Sequence, residues 1–270
     1  MDFKFHYGFY INGQLVQFAA SFDSSTEYYQ MLQSILQVKR CDVPFERIGR
    51  HHDGGYLMLP PSSGGVAYSY GISGDVSWDA DMADRGYQIY MYDHTIDGLP
   101  LERPEFHFFR EGIASSSDNQ PPLYTLMHAL EANGHTDQQH MILKMDVEGA
   151  EWGFFRHTPS AVLAQFDQMT FELHDLVQAH TSQQKSQMLY CLQKLQETHE
   201  LVHLHPNNYG CFVELDGQVY ADVLEATYVR KGLLPTAVDH ELALPIVLDE
   251  PNDPNRPEIV LGKWNAWASK

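Results

Sequence analysis

The chain has 270 residues, 43% of them apolar and 20% charged, a balance that lets it bury a sizeable core and excludes disorder along its whole length. Acidic residues number 36 against 17 Lys and Arg, and the net charge of −19 excludes nucleic acid or an anionic membrane surface as a bulk partner. Cys41, Cys191 and Cys211 are scattered and form no CxxC, the N-terminus lacks an apolar leader, and no run reaches the ~18 apolar residues of a membrane span, so a cytoplasmic protein is expected.

Asn12-Gly13, set between the alternating stretches 3–10 and 14–18, suits a type I′ turn and predicts an opening β-hairpin. Tyr28, Met31, Leu32 and Ile35 recur at helical spacing, with Ser24, Ser25 and Thr26 as possible caps. Residues 41–65, rich in Gly, Pro and His, read as loops and short strands. From Val66 short apolar runs alternate with helical patterns, which predicts an α/β fold with a mostly parallel sheet. Strands are expected at 66–71, 87–92, 106–113, 141–145 and 168–173. Helices are expected at 76–85, through Leu123, Leu126, Met127 and Leu130 to a stop at Asn133-Gly134, from Ala150 to an interruption at Pro159, and through Met188, Cys191, Leu192 and Leu195. Residues 212–215 and 219–229 flank Asp216-Gly217 and predict an antiparallel hairpin closing the sheet. Five prolines between 235 and 257 predict a tail wrapped over the domain. The expected division is an extension over 1–44, a single α/β domain over 45–232 and a tail over 233–270.

Ligands of open α/β sheets sit beyond the carboxyl ends of the strands. The first strand ends in Tyr70-Gly71-Ile72-Ser73-Gly74-Asp75, where glycines admit a ligand to the backbone and a helix N-terminus follows; an ordinary glycine turn has the same look. Asp93 ends the second strand, about 20 residues on, where a carboxylate accepts bonds from ribose hydroxyls or caps the next turn. Gly112, Ile113 and Ala114 follow the third strand and are placed to lie along an adenine ring. The fourth strand runs into Asp146-Val147-Glu148-Gly149-Ala150-Glu151, three carboxylates within six residues. Glu172 and His174 alternate on the fifth strand and share a face, so they can meet Asp146 around one cation or one hydroxyl. A proton shared between the acids is the alternative, and Glu151 in a first helical turn can simply complement the helix dipole. His205, Asn207 and Asn208 offer polar groups for a polyol, or a turn closed by Asn side chains.

The segment 144–152, Lys-Met-Asp-Val-Glu-Gly-Ala-Glu-Trp, resembles the KxDVEGxE signature of the FkbM-like S-adenosylmethionine-dependent O-methyltransferases. The resemblance extends through Asp53-Gly54-Gly55-Tyr56, residues 68–72, Glu172-Leu173-His174 and residues 205–208. It implies a Rossmann-like class I methyltransferase with a seven-stranded sheet, S-adenosylmethionine as cofactor and a magnesium or manganese ion held by Asp146, Glu172 and His174. Glu148 matches the position of an acidic residue that acts as base in related sugar enzymes, with His174 as the alternative base. Two positions depart from the pattern: Ser69 stands where the family has an acid, leaving Asp75 to substitute, and His174 replaces a carboxylate. The expected activity is methylation of a hydroxyl on a sugar, glycan or related polyol. A sugar-nucleotide transferase using Asp79 and Asp81 and a non-catalytic binding module are the rival readings.

Overall fold

The computed structural model describes residues 6–11, 14–19, 26–238 and 242–265. Its centre is a seven-stranded sheet built from β1 (Gly65–Tyr70), β2 (Tyr87–Tyr92), β3 (Phe106–Phe109), β4 (Met141–Met145), β5 (Phe166–Leu173), β6 (His199–Pro206) and β7 (Leu224–Arg230). The order across the sheet is β6-β7-β5-β4-β1-β2-β3. Only β7 runs against its neighbours, pairing antiparallel with both β5 and β6. The chain builds outward from β1 in one direction and from β4 in the other, so the switch point lies where β1 and β4 pair.

Among the described residues six helices accompany the strands: α1 (Thr26–Ile35), α2 (Ser77–Asp84), α3 (Leu126–Ala132), α4 (Glu151–His157), α5 (Ser160–Leu163) and α6 (Ser182–Thr198). Strand alternation sorts them. Tyr68, Tyr70, Leu143, Met145 and Phe171 join the core with α1, α3, α4, α5 and α6, while Ala67, Ile89, Met91 and Ile142 face Trp78 and Met82 of α2. The short hairpin of Glu46–Ile48 and Tyr56–Met58 covers that second face beside α2. The same alternation sends Lys144 and its cross-strand partner Ser69 toward α2.

Several expectations are corrected. Residues 106–113 are not one strand: β3 stops at Phe109, and Gly112–Ile113 pairs with Leu123–Tyr124 in a separate small sheet. That pairing takes Leu123 out of the helix, which starts at Leu126 with Thr125 accepting the His128 N–H, and leaves Met127 exposed. Met31 is likewise exposed, and Tyr29 and Gln33 are buried on α1. The Asp216-Gly217 hairpin does not close the large sheet. Its strands, Phe212–Leu215 and Gln218–Ala221, join the N-terminal strands His6–Ile11 and Gln14–Ala19 in a separate four-stranded sheet. Asp222 makes the break, because its carboxylate accepts the N–H groups of Val177 and Gln178 and pulls the chain toward that loop before β7 begins. The turn at Asn12-Gly13 and the capping positions Ser24 and Ser25 lie outside the described residues, although Ile11 pairs with Gln14 on either side of the turn.

The C-terminal segment straps the domain. Trp264 is buried and its indole N–H donates to Leu36 O at 2.7 Å, and the Asn265 amide donates to Val38 O. Among the described residues no helix is long and apolar enough to cross a membrane.

Candidate active site

A cavity of about 580 Å³ opens at the carboxyl ends of β1, β2 and β4, within the size range of small-molecule sites. Its floor is the turn after β1. Gly71 has φ +78°, and a Cβ there would stand 1.5 Å from Asp146 O, so only glycine lets the ends of β1 and β4 approach this closely. Lys144 donates its ammonium to Gly71 O from below.

Asp93 shapes the same turn. Its Oδ2 accepts the N–H groups of Ile72 and Ser73 at 2.9 and 2.8 Å, and its Oδ1 accepts from Thr95 N and Oγ1 at 2.8 and 2.6 Å. Burial raises this carboxyl's pKa, but the bonds from Ser73, Thr95 and Ile72 outweigh it and leave the group below its ordinary value. The acceptor capacity expected to serve a ribose is therefore already filled by the protein, and what Asp93 presents to the cavity is a rigid turn. Ser73 lines the cavity, as do Tyr70, Gly112 and Ile113. Tyr70 stacks on Tyr92 with ring centroids 4.8 Å apart and makes a flat wall. Ala114 does not line the cavity; its N–H is bonded to Tyr124 O. Asp75 accepts from Ser77 N and Oγ at the start of α2, and it pairs with Arg50 at 3.3 Å.

Carboxylates gather around His174, which does not itself line the cavity but stands beside its wall residues Asp146 and Glu148. Its Nε2 lies 3.8 Å from Asp146 Oδ1, 3.6 Å from Glu148 Oε2 and 3.7 Å from Glu172 Oε2. Burial pulls the His174 pKa down, but the bond and charge of Glu151, with Asp146 and Glu148, raise it to about 9. Burial and then the neighbouring Asp146 push Glu172 well above the ordinary carboxyl range. The ligand atoms of Asp146, Glu148 and His174 lie within 4.8 Å of one another, and Asp146 Oδ1 is buried without a hydrogen-bond partner. Such an oxygen suits a hard divalent cation. Glu148 thus joins Asp146 and His174 as a candidate ligand, while Glu172, the acid expected beside them, keeps Oε2 3.7 Å from His174 Nε2 and accepts the Asn207 amide with Oε1. Glu148 also holds φ +53°, a conformation that non-glycine residues seldom adopt, and its side chain is 87% exposed at the rim.

The residues expected to bind a polyol are placed away from the cavity. His205, Asn207 and Asn208 are buried and none lines the cavity. Asn208 ties down the C-terminal strap: its amide nitrogen faces the carbonyls of Asp253, Arg256 and Pro257, and its Oδ1 accepts the Asp253 N–H. His205 sits between Glu225 at 3.2 Å and Glu258 at 3.4 Å; burial lowers its pKa, but these two acids raise it to about 10. Asp79 is buried on α2 and lines the cavity, and Asp81 accepts the Gly49 N–H at 2.8 Å.

Sequence inspection misses Glu225, which lies directly across the ladder from both Glu172 and His205. Nothing in its local sequence marks it, since the adjacency arises only when β7 inserts between β5 and β6. Arg50, Asp53 and Tyr56 join the cavity wall from the hairpin before β1; in the sequence Asp53 and Tyr56 stand out only as part of the resemblance, with no role attached, and Arg50 not at all.

No protein-family model matches the chain, and neither does any curated protein. Among solved structures, a "putative hemolysin from Streptococcus thermophilus" aligns with 67% of this chain and 72% of its own at 10% identity and a TM-score of 0.37. A "putative methyltransferase from antibiotic biosynthesis pathway" of Anabaena variabilis aligns with 55% of this chain and 61% of its own at 12% identity and a TM-score of 0.27. Similarity at this level leaves the chain as a mixed α/β protein with a large, mostly parallel sheet.

Proposed function

We propose that this protein is an S-adenosylmethionine-dependent O-methyltransferase acting on a hydroxyl of a sugar, glycan or related polyol, with a divalent ion at Asp146, Glu148 and His174. One juxtaposition carries the reading: a small-molecule cavity at the switch point of the sheet shares its wall, through Asp146 and Glu148, with the carboxylate–histidine cluster. A seven-stranded sheet is also what the resemblance to FkbM-like enzymes implies.

The cofactor supplies an electrophilic methyl group, and the ion lowers the pKa of an acceptor hydroxyl. The chain's residues do the rest. The Gly71–Gly74 turn, braced by Asp93 and Lys144, gives a fixed floor, and Tyr70 and Tyr92 give a flat apolar wall for a planar group. Asp146 offers its unpartnered Oδ1, and His174 its Nε2. Glu148 needs only one oxygen for the ion, so its other oxygen can take the proton released by the hydroxyl. Water has little access behind the cluster, where Glu172, Asn207 and Glu225 are buried.

Incubation of the protein with isotopically labelled S-adenosylmethionine and a panel of sugars, glycans and polyketides, read by mass spectrometry with and without chelator, tests the proposal. A mass gain of one methyl on a hydroxylated acceptor, lost in chelator, is expected. Absence of S-adenosylmethionine binding by calorimetry refutes the activity, and full turnover in chelator refutes the metal.

A further inference from the structure

Glu151 opens α4 as a wholly buried carboxylate, which is not what complementing a helix dipole requires. Its surroundings show another task. Oε2 accepts the Gly149 N–H at 2.9 Å, and Oε1 accepts the backbone N–H of His174 at 2.7 Å while standing 3.2 Å from the imidazole Nδ1. Trp152, the next residue on the helix, donates its indole N–H to His174 O at 2.9 Å. Two consecutive side chains of α4 therefore fix both the backbone and the ring of a residue on the far side of the cluster.

Both oxygens of Glu151 already accept backbone N–H groups, so the ring nitrogen facing Oε1 is placed to donate a proton to it. The other nitrogen, Nε2, is then the one turned toward Asp146, Glu148 and Glu172. We propose that Glu151 is the positioning residue of this site: it holds the Nδ1 proton of His174 and so commits the Nε2 lone pair to the ion or to the acceptor hydroxyl. A carboxylate behind a ligating imidazole fixes its tautomer and raises its basicity. Glu151 itself touches neither the cavity nor the ligand atoms. The assignment rests on the proposed use of His174, as ligand or as base, and it explains why the third acid of the 146–151 run is buried while Glu148 is exposed.

Glu151→Gln keeps the volume but offers a single acceptor oxygen and an NH2 group, so it cannot accept from Gly149, from the His174 backbone and from Nδ1 together. Nitrogen-15 labelled histidine, with Zn²⁺ as a diamagnetic probe, reports which ring nitrogen carries the proton, and calorimetry reports Mn²⁺ affinity. Wild type should show a protonated Nδ1 and a metal-bound Nε2. Glu151→Gln should lose the single tautomer and bind Mn²⁺ roughly 10–100-fold more weakly. Glu151→Asp, which keeps the charge but withdraws it by one methylene, should fall between, and it carries the same two readouts if Glu151→Gln fails to fold. A folded variant with an unchanged Nδ1 proton signal and unchanged Mn²⁺ affinity overturns the proposal. The Nδ1 proton signal is also read without any ion at a pH above about 9, where the ring is neutral, so a wild type that binds neither metal refutes the metal reading and leaves Glu151 to be judged on that signal alone.

Discussion

Glu148 and Asp93 show how much a side chain's role depends on what already occupies its acceptor sites. Glu148 has an exposed carboxylate on a left-handed backbone, free to meet a ligand. The substitution Glu148→Gln should leave the fold and cofactor affinity intact and lower turnover by about 10²–10⁴, the span of a general base, measured in single-turnover assays. Asp93 is the opposite case, with both oxygens bonded within the protein. Asp93→Ala removes the acceptor that holds the N–H groups of Ile72 and Ser73, so the floor of the cavity should loosen. Affinity for S-adenosylmethionine should fall by about 1.5–3 kcal/mol in calorimetry, together with a comparable loss in urea stability. Loss of affinity without loss of stability would return Asp93 to direct contact with the ribose.

The elements place these residues through sheet register. Glu172, Glu225 and His205 lie in one row because β7 is inserted antiparallel between β5 and β6. The C-terminal strap closes over that row: Asn252 donates its amide to Glu225 Oε1 at 2.5 Å, and Glu258 reaches His205. Asn208 is the clasp. Asn208→Ala leaves the carbonyls of 253–257 and the Asp253 N–H without their side-chain partner, which should cost about 1–3 kcal/mol. Limited proteolysis should then cut near residues 253–257 faster than in wild type, while S-adenosylmethionine affinity stays unchanged because Asn208 does not line the cavity.

For the molecule as a whole, ligand and proton binding set stability by linkage. An ion held only by the folded protein stabilises it by about 2.7 kcal/mol at one hundred times its dissociation constant. Mn²⁺ should raise the melting temperature of wild type and leave that of Asp146→Ala unmoved in differential scanning fluorimetry. His199 is buried at the start of β6 with its Nε2 2.9 Å from Phe166 O. Burial lowers its pKa to about 4, against the small upward pull of that carbonyl. Below the ordinary histidine pKa of about 6.5 the unfolded chain takes up a proton that the folded chain refuses, so stability falls as the pH drops from about 6.5 toward 4. Denaturant midpoints across this window should slope less steeply in His199→Gln.

Period and contiguity make most of the elements legible in the sequence itself. The apolar run at 141–145 and the helical faces of α1 and α6 depend on neighbours a few residues apart, and so does the cluster of carboxylates after β4. The proximity of Asp146, Glu172 and His174 is also readable, because adjacent parallel strands bring their carboxyl ends together. Tertiary structure decides the rest. Glu225 enters the site only by cross-strand pairing, Asp93 is claimed by a turn 20 residues upstream, and Asn208 is claimed by the strap 45 residues downstream. Hydrogen-bond satisfaction is the physical reason: a sequence shows which groups can accept or donate, whereas only the folded chain shows which of them are still free.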